Sequence, residues 1–183
     1  YSLGGLTGEL LINPIIAVLC AAMIYVYTKD ILGNPKAAWI ALLLCALNPA
    51  QIYSARITQS ELLCQLFFLM SVYYFAKGWT SNNRWLIAFS GSLIGLMTFI
   101  RIDMYILGGG VLVIALYHIW FQRQNAKRIL LYSACYVFVG SAALLYGYIY
   151  LFPYYKDHWD QGVLSAILIV NIVLIIIVLL SFF

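Results

Sequence analysis

The chain has 183 residues, of which 65% are hydrophobic and only 9% are charged, and its formal net charge is +4. A soluble domain carries charge on roughly a quarter of its residues, so this composition excludes a soluble protein and makes lipid part of the solvent. The positive residues stand in short clusters between apolar runs and form no basic stripe, which argues against a nucleic-acid partner. The predicted fold is all-α: a polytopic bundle of transmembrane helices in one domain, residues 1–183.

Apolar runs of the length that crosses a bilayer, about 20 residues, predict about seven spans. The stretch from Trp85 to Phe121 would reach roughly 55 Å as one helix, so we expect it to break at Arg101-Ile102-Asp103. The chain begins at Tyr1 and is still apolar at Phe183, and we therefore expect it to be a piece of a longer protein. The spans are predicted at about residues 9–28, 37–53, 61–76, 85–100, 103–121, 129–152 and 163–183.

Alternation of the spans assigns each charged residue to one of two membrane faces. The face that the positive-inside rule makes cytoplasmic receives most of the basic residues, namely Lys29, Lys36, Lys77, Arg84, Arg123, Lys127 and Arg128. The other face receives Arg56, Arg101 and Lys156 together with most of the acids, namely Glu9, Glu61, Asp103, Asp157 and Asp160. Chemistry is therefore expected on the extracytoplasmic face.

The segment from Asn48 to Glu61 joins two predicted spans at that outer face. An ionisable residue at membrane depth suggests function, so Arg56 is a candidate for gripping a phosphate and Glu61 for acting as a base or orienting a hydroxyl. A structural interpretation stays open. Thr58 and Glu61 have the spacing of a capping box, and Arg56 can extend to lipid headgroups.

Arg101 and Asp103 form a second candidate pair. On a continuous helix, residues two apart point to nearly opposite sides, whereas in a turn they can share one target. The functional interpretation is a phosphate-binding Arg101 beside a positioning Asp103. The alternative is an ordinary interfacial turn in which both charges meet water.

The remaining candidate motifs favour structural roles. The four cysteines lie within apolar runs without metal-ligand spacing, which indicates buried and inert thiols (Cys20, Cys45, Cys64 and Cys135). Gly108–Gly110 is typical of close helix packing or a kink and lacks the features of a phosphate loop. Asn13-Pro14 and these glycines are the interruptions that a transporter would use.

Several stretches, in order and spacing, resemble bacterial and archaeal relatives of the dolichyl-phosphate-mannose protein mannosyltransferases, which are integral-membrane glycosyltransferases of the GT-C fold. The likeness covers Leu10 to about Tyr117, rather more than half of the chain. Its pieces are Tyr27-Thr-Lys-Asp-Ile-Leu-Gly33, Ala41-Leu-Leu-Leu-Cys-Ala-Leu-Asn-Pro49, Tyr53-Ser-Ala-Arg56, Ser60-Glu61 and Gly91-Ser-Leu-Ile-Gly-Leu-Met-Thr-Phe-Ile-Arg-Ile-Asp103.

The resemblance implies a polyprenyl-phosphate sugar donor, used in the membrane on the outer face, and an acceptor hydroxyl that attacks the anomeric carbon. It implies that Glu61 faces the active-site cavity with Arg56 nearby, and that Arg101 begins a later outer connection. Glu9 is a further candidate for the site, although the principal catalytic acid of the family lies in a loop that would precede Tyr1.

The chain alone is therefore expected to be inactive. No set of metal ligands is visible in it, and a divalent cation at the donor phosphate stays open. The alternatives are a flippase or transporter of a lipid-linked substrate and a non-enzymatic membrane scaffold.

Overall fold

A computed structural model describes residues 5–57, 60–121 and 126–150, together with residues 169, 171–173 and 176. These residues form helices joined by short connections, and no strand occurs among them, which confirms the predicted all-α fold. A short 3₁₀ helix, Ile102–Tyr105, stands between the fifth and sixth α-helices. The α-helices are α1 (Gly5–Leu32), α2 (Pro35–Ala46), α3 (Pro49–Arg56), α4 (Glu61–Thr80), α5 (Arg84–Ile100), α6 (Ile106–Phe121) and α7 (Ala126–Tyr150).

Two Asn-Pro pairs determine where α2 and α3 begin. The side chain of Asn34 accepts hydrogen bonds from the backbone N–H groups two and three residues later (3.0 and 3.2 Å), and Asn48 accepts one from the N–H two residues later (2.9 Å). The proline that follows each asparagine starts the helix without losing a hydrogen bond. The predicted span at 37–53 is therefore divided into α2 and α3, which meet at a bend of 55°.

Three described helical segments are long and apolar enough to cross a membrane: Leu11–Leu32, Glu61–Thr80 and Ala126–Tyr150. The bent pair α2–α3 adds a fourth if it is counted as one span. By contrast, α5 and α6 have 17 and 16 residues, fewer than the about 20 that a straight crossing requires. The predicted count of about seven spans is not confirmed, and the span predicted at 163–183 lies outside the described residues apart from a few helical positions.

The described helices belong to two compact units, Tyr1–Tyr73 and Tyr74–Phe183. The prediction of a single domain stays a prediction. In the first unit α1 packs against α2 and α3. The Cys20 thiol donates a hydrogen bond to the Leu62 carbonyl (3.6 Å), and the Tyr73 hydroxyl donates one to Asp30 (2.7 Å). Since residue numbers rise together along these two contacts, α1 and this part of α4 run parallel.

In the second unit the main contact joins α5 to α7. Gly91 and Gly95 are one helical turn apart and lie on the same face of α5. A Cβ atom built on Gly91 would lie 2.3 Å from the carbonyl oxygen of Tyr132, and one built on Gly95 would lie 2.7 Å from Cβ of Val139. Only glycine allows the two backbones to approach this closely, which is how small residues hold membrane helices together.

Replacing Gly91 with alanine is expected to lower the free energy of unfolding by about 1–3 kcal/mol, because the new methyl group would overlap the Tyr132 carbonyl. Thermal unfolding of the purified protein in detergent measures this loss. Gly110→Ala is the matched control, since a Cβ built there has no described heavy atom within 4 Å. An equal loss of stability in both variants would contradict a close contact specific to α5 and α7.

Candidate functional site

The Arg101–Asp103 pair lies where α5 ends. Arg101 has extended backbone angles (φ −146°, ψ 131°), and the 3₁₀ helix starts at the next residue. This turn brings the two side chains together. Nε of Arg101 donates to Oδ1 of Asp103 (3.0 Å) and Nη2 donates to Oδ2 (2.9 Å), which makes a bidentate ion pair. The break predicted at 101–103 is present, and it gives both charges a shared location that a continuous helix would not.

The ion pair is neither buried nor fully in solvent, with 33% of the Arg101 side chain and 45% of the Asp103 side chain accessible. A guanidinium carries five N–H donors, of which two point at Asp103. Because the fork is planar, Asp103 fixes the plane of the whole guanidinium. The arrangement can therefore present an oriented cation to an anionic group arriving at this end of α5.

Tyr105 anchors the turn that carries Asp103. Its side chain is buried, and its hydroxyl donates a hydrogen bond to the carbonyl of Gly140 in α7 (2.9 Å). A Cβ built on Gly140 would lie 3.7 Å from the Tyr105 ring and 3.9 Å from the Thr98 hydroxyl. One buried side chain thus fixes the 3₁₀ helix to α7. Since Asp103 belongs to this helix, the same contact also fixes the turn that carries the ion pair.

Arg56 and Glu61 lie on either side of the connection between α3 and α4. Arg56 is the last residue of α3 and Glu61 the first of α4, and both are exposed. A carboxylate in the first turn is favoured by the partial positive charge at the start of a helix. The capping box predicted from Thr58 to Glu61 lies partly outside the described residues, because positions 58 and 59 are not described.

Asn13 holds the start of this connection. Its side chain is buried in α1, and its amide donates a hydrogen bond to the carbonyl of Ile57, the residue that follows α3. An unsatisfied carbonyl inside a membrane costs several kcal/mol, about 2–7 by transfer measurements, so this bond stabilises the end of α3 beside Arg56. Glu9 occupies a position on α1 one turn before Asn13, and its side chain lies outside the described residues.

The two candidate pairs belong to different units: Arg56 and Glu61 to the first, Arg101 and Asp103 to the second. The structure therefore brings together Arg101 and Asp103, and it places Arg56 and Glu61 at the two ends of one connection. The described part of the chain contains no group of three or more His, Cys, Asp or Glu side chains that would hold a metal ion.

Two residues that support these candidate pairs, one in each unit, are not among the predicted site residues. The sequence suggested Asn13 only as a helix interruption beside Pro14, yet α1 continues through both and Asn13 binds Ile57. Tyr105 is one of fifteen tyrosines and has no distinguishing neighbours in sequence. The signal available for Asn13 was a polar amide inside an apolar run, which needs a partner in the membrane.

The glycine run in α6 differs from its prediction. α6 passes through residues 108–110 without a break, and a Cβ built on Gly109 or Gly110 meets no described atom within 4 Å. Close packing is instead found at Gly91 and Gly95 of α5. All four cysteines lie in helices, two of them buried, and within the described chain none forms a disulfide.

The model of one protein family, dolichyl-phosphate-mannose-protein mannosyltransferase, matches residues 5–146, which is more than half of the chain. The chain belongs to this family. The match confirms the resemblance seen in the sequence. It supports a multi-pass integral membrane protein that is related to glycosyltransferases. Searches of curated proteins and of solved structures returned no match.

Replacing Tyr105 with phenylalanine is expected to lower the free energy of unfolding by about 1 kcal/mol, because the hydrogen bond to Gly140 is lost while the ring remains. Thermal unfolding in detergent checks this. Tyr150→Phe, which removes a hydroxyl from an exposed side chain of α7, serves as the control and should leave stability unchanged. If both variants unfold at the wild-type temperature, the hydroxyl of Tyr105 does not anchor the turn.

Proposed function

We propose that the protein moves a sugar from a polyprenyl-phosphate-linked donor to an acceptor hydroxyl on the extracytoplasmic face of the membrane. Family membership supports the reaction class, because this family uses such lipid-linked donors. The observation that carries the proposal within the chain is the bidentate Arg101–Asp103 pair at a helix break. A fixed guanidinium beside the membrane is the group that a lipid phosphate requires.

The transfer exchanges one bond to the anomeric carbon for another. The oxygen of the acceptor hydroxyl forms the new glycosidic bond while the bond from the anomeric carbon to the phosphate oxygen breaks. The leaving phosphate keeps the bonding electron pair and gains negative charge. The hydroxyl proton passes to a carboxylate. The reaction therefore needs a cation near the phosphate and a carboxylate near the acceptor.

Arg101 is assigned to the phosphate. Negative charge grows on the phosphate as the sugar leaves, so a guanidinium held in one plane stabilises the transition state without having to reorient. Asp103 supplies that orientation through its two hydrogen bonds. The hydrogen bond from Tyr105 to α7 holds the turn in place.

Glu61 is assigned to the acceptor, with Arg56 as a second group for the donor phosphate or the acceptor. Both side chains are exposed, so a substrate can reach them. The Asn13 bond to Ile57 supports the connection that separates them. Glu9, which lies on α1, is assigned to the same binding role.

Replacing Arg101 with glutamine is expected to lower kcat/KM for the donor by about 10- to 100-fold, the scale of one lost hydrogen-bonded charge. Arg101→Lys should recover only part of this loss, since lysine cannot reproduce the bidentate geometry. The assay follows sugar transfer from polyprenyl-phosphate-mannose by the full-length protein in reconstituted membranes. Lys36→Gln, on the exposed first turn of α2, removes the same charge and is expected to keep wild-type transfer.

Replacing Glu61 with glutamine is expected to reduce kcat by roughly 10²-fold or more while the KM for the donor changes little, because the proton acceptor is lost and the phosphate-binding groups remain. Glu61→Asp should restore part of the rate. Asp30→Asn provides a control with the same change in charge on the first unit. Unchanged transfer in Glu61→Gln would remove Glu61 from the reaction.

The same assays separate the alternatives. A transporter of a lipid-linked substrate would move a labelled lipid between leaflets without forming a glycosylated product, and Arg101→Gln would slow that movement. A scaffold would keep full activity when Arg56 and Glu61 are both neutralised. Either result would overturn the transferase assignment for these residues.

A further inference from the structure

Three helix ends meet at the end of the second unit opposite to Arg101. α4 ends at Thr80, α5 begins at Arg84, and Arg128 of α7 ties the turn between them. Nη1 of Arg128 donates to the carbonyl of Trp79 (3.2 Å), and Nη2 donates to the side chain of Asn82 (2.7 Å). The guanidinium also lies 5.4 Å from the centre of the Trp79 ring. Arg128 therefore has a structural role and fixes the geometry of this end.

The cations around this fixed turn are exposed. Arg84 is the first residue of α5, and Lys127 is adjacent to Arg128 in α7. Neither α5 nor α7 contains an acidic residue. The N-termini of α5 and α7 add partial positive charge. We name Arg84 and Lys127 the basic rim.

An exposed aromatic surface adjoins the basic rim. Trp85 follows Arg84 and is 85% exposed, and Phe89 lies one turn further along the same face of α5 and is 46% exposed. Large aromatic side chains at a helix end are typical of the boundary between headgroups and hydrocarbon. The arrangement offers cations to a headgroup and apolar rings to the acyl chains beneath it.

We infer that the basic rim binds the headgroup phosphate of an anionic phospholipid, whose acyl chains lie along Trp85 and Phe89. A lipid fits better than a free phosphate because the cations border the exposed apolar rings of Trp85 and Phe89. The site lies at the opposite end of α5 from Arg101, a distance of roughly 25 Å for a helix of this length. It does not depend on the proposed transferase reaction.

The test measures phosphatidylglycerol binding to the protein in a neutral detergent by native mass spectrometry, with phosphatidylcholine as the comparison lipid. The variant Arg84→Gln with Lys127→Gln is expected to bind phosphatidylglycerol about 25-fold more weakly, on the scale of roughly fivefold for each cation near an anionic surface. The control Lys29→Gln with Lys36→Gln removes the same charge from exposed positions of the first unit. It should retain the wild-type affinity.

Three outcomes would overturn the inference. Equal weakening in both double variants would show a general effect of net charge, and equal affinity for the two lipids would show no headgroup selectivity. Competition by inorganic phosphate at the same concentration as the lipid would assign the site to a free anion. Lys127→Gln alone is measured in parallel and should weaken phosphatidylglycerol binding about fivefold. This single variant separates the loss of charge from a folding defect in the double variant.

Discussion

A backbone carbonyl or amide inside a membrane has no water to bind, so a helix that breaks in a membrane protein needs other partners for the groups that the break frees. Where α3 ends, the carbonyl of Ile57 is satisfied by the amide of Asn13. Where α5 ends, the contact is of another kind, because the Tyr105 hydroxyl fixes the following 3₁₀ helix to α7 by donating to the carbonyl of Gly140. One buried polar side chain thus holds each interruption. Asn13 of α1 holds the end of α3, and Tyr105 holds the turn that follows α5.

The same two interruptions carry the charged residues of the proposed site. At 101–103 the break lets an arginine and an aspartate two residues apart form a bidentate pair. Uncharged residues hold the two connections in place, and the steps of the proposed reaction are assigned to charged residues. This division explains why Asn13 and Tyr105 matter although neither is placed on a substrate.

The sequence was sufficient for features that depend on composition and local order. The helical class, the division of 85–121 at Arg101 and the family relationship followed from apolar runs, chain length limits and short motifs. It was insufficient for two kinds of feature: a break set by a local helix cap within an apolar run, and contacts between distant residues. Asn48-Pro49 bends the predicted span at 37–53, because a local cap competes with an apolar run. Gly91 and Gly95, which meet α7 across about forty residues of chain, carry the close packing that the glycine run 108–110 was expected to provide.

The contact between α5 and α7 also bears on how the protein enters the membrane. α5 has only 17 residues, and the helix against which its two glycines pack is separated from it in the chain by the whole of α6. A ribosome delivers α5 and α6 before α7 exists. The glycine face of α5 therefore lacks its partner helix until α7 has been synthesised. The close packing within the second unit is for this reason completed only after α7 has been made.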